Sequence, residues 1–320
     1  MRYAYYPGCS LERSAASYHD SAMAVADKLG LVFQELEDWN CCGATEYFAI
    51  NKLAAYSLVA RNLALVPKDL SELAAPCSAC YVNLKKTNKH MAKHPTLAEQ
   101  INQALMAGGL GYNPGRVQVR HLLDIIVNDV GYETIEQSVV KPLRGLRVAP
   151  YYGCLIVRPG NGFDNAEYPM SMDRLLRALG AEVVDYPLKA QCCGGHMTQI
   201  SDKVAYELIR RLLQNAAEYH ADLIACTCPM CQLNLDAYQG NVNRHFGTDY
   251  RIPILYFTQL MALAFGLSAK EAGLGSEIVS AQPALAKIDV DMPKQEEEKK
   301  AKPRASKEAL PMPAMPDEEA

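Results

Sequence analysis

Ten cysteines stand in two quintets whose spacing could hold metal. Cys9, Cys41, Cys42, Cys77 and Cys80 read C-x31-CC-x34-C-x2-C. Cys154, Cys192, Cys193, Cys228 and Cys231 read C-x37-CC-x34-C-x2-C. Local context repeats with them: YPGCS answers YYGCL, NCCGA answers QCCGG, and CSACYVNL answers CPMCQLNL. The chain is an internal duplication, offset by 145 residues at the first cysteine and 151 at the others. An eleventh cysteine, Cys226, has Ala75 as its counterpart and is expected in the core as a small apolar side chain.

A lone C-x-x-C can bind zinc, hold one edge of an iron–sulfur cluster, or work as a redox dithiol. Five thiols narrow the choice. A structural zinc site closes with four ligands, and an ordinary cubane cluster also takes four cysteines. Either one cysteine per half is a spectator, or the centre is larger and more open than a cubane. The adjacent pairs favour the second option, because neighbouring side chains diverge and reach one ion only awkwardly. Gly43 and Gly194, directly after the pairs, are expected to let the backbone approach inorganic sulfide. A vicinal disulfide is disfavoured, since disulfides are rare in reducing compartments and the pair recurs at a fixed distance from C-x-x-C. Duplication also suits a two-electron reaction. Cleaving a disulfide takes two electrons, whereas a cluster ordinarily passes one, so two clusters facing one disulfide could each supply one.

Other candidates are sparse. His196, after Cys192-Cys193-Gly194-Gly195, has Thr45 at its counterpart and could protonate a departing thiolate or tune a sulfide from nearby. His90 and His94 stand at i, i+4, a spacing that binds zinc only with further ligands, and are expected on a surface face. No C-x2-C-x2-C-x3-C-P run occurs, and GGLGYN (Gly108–Asn113) misses the dinucleotide fingerprint. With no flavin or NAD site of its own, the chain is expected to exchange electrons with other chains.

The elements that would position these thiols alternate strand and helix. Strands are expected at Arg2–Pro7 and Leu31–Leu36, with helices at Ser14–Leu29 and Tyr47–Leu65, the latter facing inward through Leu53, Tyr56, Val59 and Leu63. A helix at His121–Val130 closes the first unit. The second unit repeats the order: strand Arg147–Tyr152, helix Met172–Leu179, strand Ala181–Tyr186, helix Val204–Ala217, strand Asp222–Cys226 and a final helix at Tyr256–Leu267. This pattern predicts an α/β fold of two pseudo-symmetric, Rossmann-like domains, with cysteine clusters at the C-terminal ends of parallel strands. The domains are drawn at 1–143 and 144–267. Residues 268–320 form a C-terminal extension, largely disordered by composition, ending in a stretch with five prolines and the block EEEKK.

The length of 320 residues suits two such domains, and 49% hydrophobic with 21% charged residues is globular. A net charge of −4 argues against binding nucleic acid by phosphate neutralisation. No apolar run approaches the ~20 residues of a membrane span. The start, MRYAYYPGCSLER, lacks a signal-peptide h-region, so a cytoplasmic location is expected.

The twofold pattern, with PGC at its start and CCG in its middle, resembles the cysteine-rich CCG domain family, and within it the two-domain, B-type subunits of heterodisulfide reductases. The likeness covers residues 1 to about 267 and rests on ten cysteines in order. It implies a noncubane [4Fe-4S] cluster on each quintet and disulfide chemistry between the two clusters. It also implies partner chains: one of A type bearing a flavin, and one of C type with cubane [4Fe-4S] clusters. Related CCG proteins in flavin dehydrogenases and fumarate-reducing complexes make an electron relay the alternative. A zinc-stabilised, non-catalytic scaffold is the remaining one. The substrate is expected to be a disulfide or a protein-bound sulfur carrier.

Overall fold

The computed structural model of the chain describes residues 1–44, 47–157 and 162–289. In the first half the strands are β1 (Arg2–Tyr5), β2 (Val32–Glu35), β3 (Glu72–Ala75) and β4 (Gln118–His121). In the second they are β5 (Arg147–Tyr151), β6 (Glu182–Val183), β7 (Leu223–Cys226) and β8 (Ile254–Tyr256). They form two all-parallel sheets ordered β2-β1-β3-β4 and β6-β5-β7-β8. The expected α/β duplication is thus present. The central strands read LAA in β3 and LIAC in β7 and are wholly buried. Small side chains there let helices pack closely on both faces, as parallel sheets require.

The strand order fixes where a ligand site can form. The chain leaves β1 for its neighbour β2, then crosses back to β3 on the other side. Connections therefore diverge above the C-terminal ends of β1 and β3, opening the crevice at which open parallel sheets bind ligands. Cys9 follows β1 and Cys77 follows β3, so both flank that switch point. In the second half Cys154 and Cys228 flank the equivalent point between β5 and β7.

Several elements depart from the sequence expectation. The helix expected over Tyr47–Leu65 breaks at Asn51, whose extended backbone and side-chain oxygen, accepting from Ala54 N at 3.0 Å, start a new helix at Lys52–Ala64. Tyr56, Val59 and Leu63 are buried as expected, but Leu53 is 39% exposed. The strand expected at Ala181–Tyr186 is only Glu182–Val183, because Tyr186 turns inward and donates to Leu212 O. His121 ends β4 and caps the helix Leu122–Ile125, and a π-helical turn over Ile126–Val130 follows it. Strands β3, β4 and β8, three or four residues each, are too short to show a period in sequence.

The two halves share one hydrophobic core. Tyr18 stacks on Tyr256 with centroids 4.2 Å apart and planes at 6°, and the hydroxyls of Ser21 and Thr258 meet at 2.7 Å. Residues 268–289 also pack onto the fold. The Asp236 carboxylate accepts from the backbone N–H of Ile278 and Val279 at 2.9 Å each, and Ala272, Ala281 and Ala284 are buried. The remainder of the expected disordered extension, residues 290–320, lies outside the described residues. Among the described residues no helix is long and apolar enough to cross a membrane.

Candidate metal centre

All ten patterned cysteines meet on the wall of one cavity of about 380 Å³. Their side chains form an unbroken row. Cys9 touches Cys41 (Sγ–Sγ 3.6 Å), Cys41 its neighbour Cys42, Cys42 touches Cys80 (3.3 Å), and Cys80 touches Cys77. Cys77 then meets Cys228 of the other half. From there the row continues through Cys231, Cys193 (3.6 Å from Cys231), Cys192 and Cys154. It is palindromic about the contact between Cys77 and Cys228. Two thiolates on one tetrahedral metal with ~2.3 Å bonds lie roughly 3.8 Å apart, close to these separations. Among the described residues, no three Cys, His, Asp or Glu side chains gather around one point as a mononuclear ion would need. The row of ten offers five sulfur donors from each repeat, one more than a single tetrahedral ion takes.

Electrostatics lead to the same place. Cys9, Cys42, Cys80, Cys154, Cys193 and Cys231 are pushed above the ordinary thiol range because each donates to a neighbouring sulfur, and burial adds to this. Cys41 and Cys228, each accepting from two neighbouring thiols, are held below it. Ten thiolates cannot share so small a space unless cations compensate them, which a polynuclear iron centre on each quintet would do.

Matching residues in the two halves hold the cysteine loops. Tyr6 donates to Asn40 O and Tyr151 to Gln191 O, both at 2.8 Å, which ties each first strand to the residue before the CC pair. Asn83 Nδ2 donates to Cys42 O at 3.1 Å, and Asn234 Nδ2 donates to Cys193 O at 3.2 Å. These four residues escaped the sequence reading, although each keeps its offset from a patterned cysteine in both repeats. Gly8 and Gly153 bring backbone close to a cysteine sulfur in each half. A Cβ added to Gly8 would lie 2.9 Å from Cys80 Sγ, and one on Gly153 would lie 3.1 Å from Cys231 Sγ. Gly43 and Gly194 still need their left-handed φ of +61° and +96°.

The halves differ in what surrounds the row. His196 lies in the 3₁₀ turn Gly195–Gln199 and lines the cavity with Leu155, Met230 and Tyr152. Its counterpart Thr45 lies outside the described residues. Tyr152, where the first half has Pro7, donates to Asp173 Oδ2 at 2.6 Å, and fully buried Lys189 pairs with Asp173 Oδ1 at 3.0 Å. The Lys189 carbonyl accepts from the N–H of Tyr152 and Gly153, so this buried pair shapes the loop carrying Cys154. Cys226 is wholly buried within β7 and is absent from the cavity wall. His90 stacks on Tyr56, and the rings of His90 and His94 are 5.8 Å apart, away from the cysteines.

The sequence pattern of the CCG cysteine-rich domain matches this chain twice, over residues 3–85 and 148–236. The chain belongs to the CCG cysteine-rich domain family. This CCG protein is 34% identical over 281 residues to the 8-methylmenaquinol:fumarate reductase membrane anchor subunit of Wolinella succinogenes, covering 87% of this chain and 97% of that one. It is 30% identical over 293 residues to the B subunit of the ferredoxin/F420H2-dependent CoB-CoM heterodisulfide reductase of Methanosarcina acetivorans, covering 88% and 95%. Among solved structures, a hypothetical protein from Helicobacter pylori superposes with a TM-score of 0.70 at 14% identity, a likeness of fold alone. The CCG protein aligns over 87% of its own length there but spans only about half of that chain, 52%.

Proposed function

We propose that this chain is the iron–sulfur subunit of a heterodisulfide reductase-like complex, reducing or forming a disulfide between two noncubane [4Fe-4S] clusters. Cys9, Cys41, Cys42, Cys77 and Cys80 would hold one cluster, and Cys154, Cys192, Cys193, Cys228 and Cys231 the other. The single observation behind this reading is the unbroken row of ten sulfurs around one cavity. When bound, each cluster would supply one electron of the two that a disulfide requires. The reaction balances as one disulfide, two electrons and two protons giving two thiols. Leu155, Met230 and Tyr152 give the cavity an apolar wall that displaces water from the reacting sulfurs. His196, on the same wall, is the candidate donor of a proton to the departing thiolate. Electrons would be exchanged with partner chains resembling the flavin-bearing A type and the cubane-cluster C type. The reducing conditions such thiols need agree with a cytoplasmic location.

A second reading is an electron relay in a quinone-linked fumarate-reducing complex. The 34% identical relative, named as a subunit of such a reductase, favours it. One experiment separates the readings. Protein purified anaerobically is expected to be brown, with about eight iron and eight sulfide per chain. A disulfide added to the reduced protein should then reoxidise it within seconds. Reoxidation by a menaquinone analogue, with disulfides inert, would establish the relay instead. Colourless protein holding zinc would overturn both.

A further inference from the structure

The helix Ser78–Lys93 begins in the metal centre and ends in a run of positive charge. Cys77 precedes it and Cys80 lies in its first turn. Lys85, Lys86, Lys89 and Lys93 follow, with His90 and His94, and no acidic residue occurs between Glu72 and Glu99. Lys86, Lys89, Lys93 and His94 are exposed, while Lys85 and His90 are half-buried. The lysines flank two shallow hollows, one on each side of the helix. Burial pushes His90 below its ordinary value, and the surrounding lysines and His94 push it further, so the field there is positive. Among the described residues, Asp124 acts on Lys85 but is also engaged by Arg120 at 2.9 Å, and Glu99 stands on the following helix.

The duplication supplies an internal control. In the second half the stretch after the C-x-x-C, Pro229–Phe246, contains only Asp236 and Arg244 as charged residues, leaving His245 aside. The first half therefore has four positive charges where the second balances, in a chain whose net charge is −4. Lys86 lies six residues beyond Cys80, about 9 Å along the helix axis. A partner seated on this face would bring its own redox centre toward the first quintet, and the equivalent helix of the second half lacks such a run of lysines.

We infer that this lysine face is the docking surface for an acidic, one-electron-carrying protein, and that electrons cross to and from this chain on the side of the first quintet. The inference rests on the iron–sulfur reading of the site for its electron-transfer half, though not for its docking half. In each crossing the partner's centre loses one electron and the first centre gains it, or the reverse, with no bond made or broken. Charge complementarity of this kind raises association rates and makes them fall with salt. A chain with an acidic balance and a patch confined to one helix fits a protein partner better than a nucleic acid, which needs a broad basic surface.

The test uses the full-length protein, with an acidic plant-type [2Fe-2S] ferredoxin as probe. Calorimetry with oxidised ferredoxin at low salt measures docking alone. Stopped-flow reduction by reduced ferredoxin measures electron transfer. The triple variant K86E/K89E/K93E should bind at least tenfold more weakly and be reduced at least tenfold more slowly, and its salt dependence should be lost. A neutral photoreduced deazaflavin should reduce both proteins equally. K86Q/K89Q/K93Q should fall between them, and an unchanged thermal midpoint would show both variants folded. Equal ferredoxin affinity in wild type and the charge-reversed variant would overturn the proposal. So would loss, in that variant, of sedimentation with phosphatidylglycerol vesicles while ferredoxin binding persists, which would assign the patch to a lipid surface. Salt-dependent docking by a protein without iron would leave the surface standing and remove the electron transfer.

Discussion

The thiols of Cys77 and Cys228 meet across the junction of the two halves, one from each C-x-x-C. That contact turns two quintets into one row and makes the cavity between them common to both. Its surroundings are unlike on the two sides. Ser78, next to Cys77, lies 3.3 Å from both Thr227 Oγ1 and His121 Nε2, whereas Pro229 follows Cys228.

Substituting the glycines before the first cysteines tests how tightly each loop crosses its C-x-x-C. Gly8→Ala puts a Cβ 2.9 Å from Cys80 Sγ at a φ of +79°. The left-handed backbone alone costs roughly 1–2 kcal/mol in an alanine. The variant should lose most of the iron of the first centre and keep the second. Gly153→Ala, with its Cβ 3.1 Å from Cys231 Sγ, should act on the second centre in the same direction but less severely. Iron per chain and the thermal midpoint are the measurements, and full iron in both variants would refute the packing.

Removing the asparagine clamps should perturb one centre at a time. Asn83→Ala takes the donor from Cys42 O, and Asn234→Ala takes it from Cys193 O and from Gly195 O. Each unmet buried carbonyl costs about 1–3 kcal/mol. Electron paramagnetic resonance of the reduced protein is expected to show one of two signals altered in each variant. Asn234→Ala should have the larger effect on stability.

The eleventh cysteine separates ligand from core. Cys228→Ser should roughly halve the iron content, because it breaks the second quintet. Cys226→Ala should keep all the iron and cost about 1 kcal/mol, as an ordinary core truncation does. Iron loss in Cys226→Ala would bring that residue into the site.

His121 should make stability pH-dependent. Burial lowers its pKa from 6.5 to about 4, and its Nδ1 accepts from Leu123 N at 3.1 Å, so the folded ring is neutral. Between pH 4 and 6.5 the unfolded chain binds the proton more readily, so stability falls as pH drops through that window. The full loss is on the order of 3 kcal/mol. Urea midpoints measured from pH 7.5 down to 5 should decline in the wild type and decline less in His121→Asn. Parallel curves would show that His121 is not the group responsible.

Much of the site could be read in one dimension because duplication writes its own alignment. The ten ligand candidates, the demotion of Cys226 and the α/β alternation all follow from spacing and short-range pattern. Tyr6 and Tyr151, or Asn83 and Asn234, could have been found the same way, by asking which non-cysteine residues keep their offsets in both repeats. The break at Asn51 is also open to a local reading, since its cap reaches only to Ala54 N. The shortened strand β6 is not, because the inward turn of Tyr186 depends on Leu212, distant in sequence.

From the sequence alone come the two quintets, the alternation of strand and helix, and a charge balance unsuited to nucleic acid. These are local or periodic properties, carried by residue type and spacing. Only the tertiary structure joins the quintets at Cys77 and Cys228 and assigns the tight approach to Gly8 and Gly153. The first of those relations depends on how two sheets with separate switch points pack about the Tyr18–Tyr256 stack. Spacing along a chain carries no information about the distance between two such units until their shared core is formed.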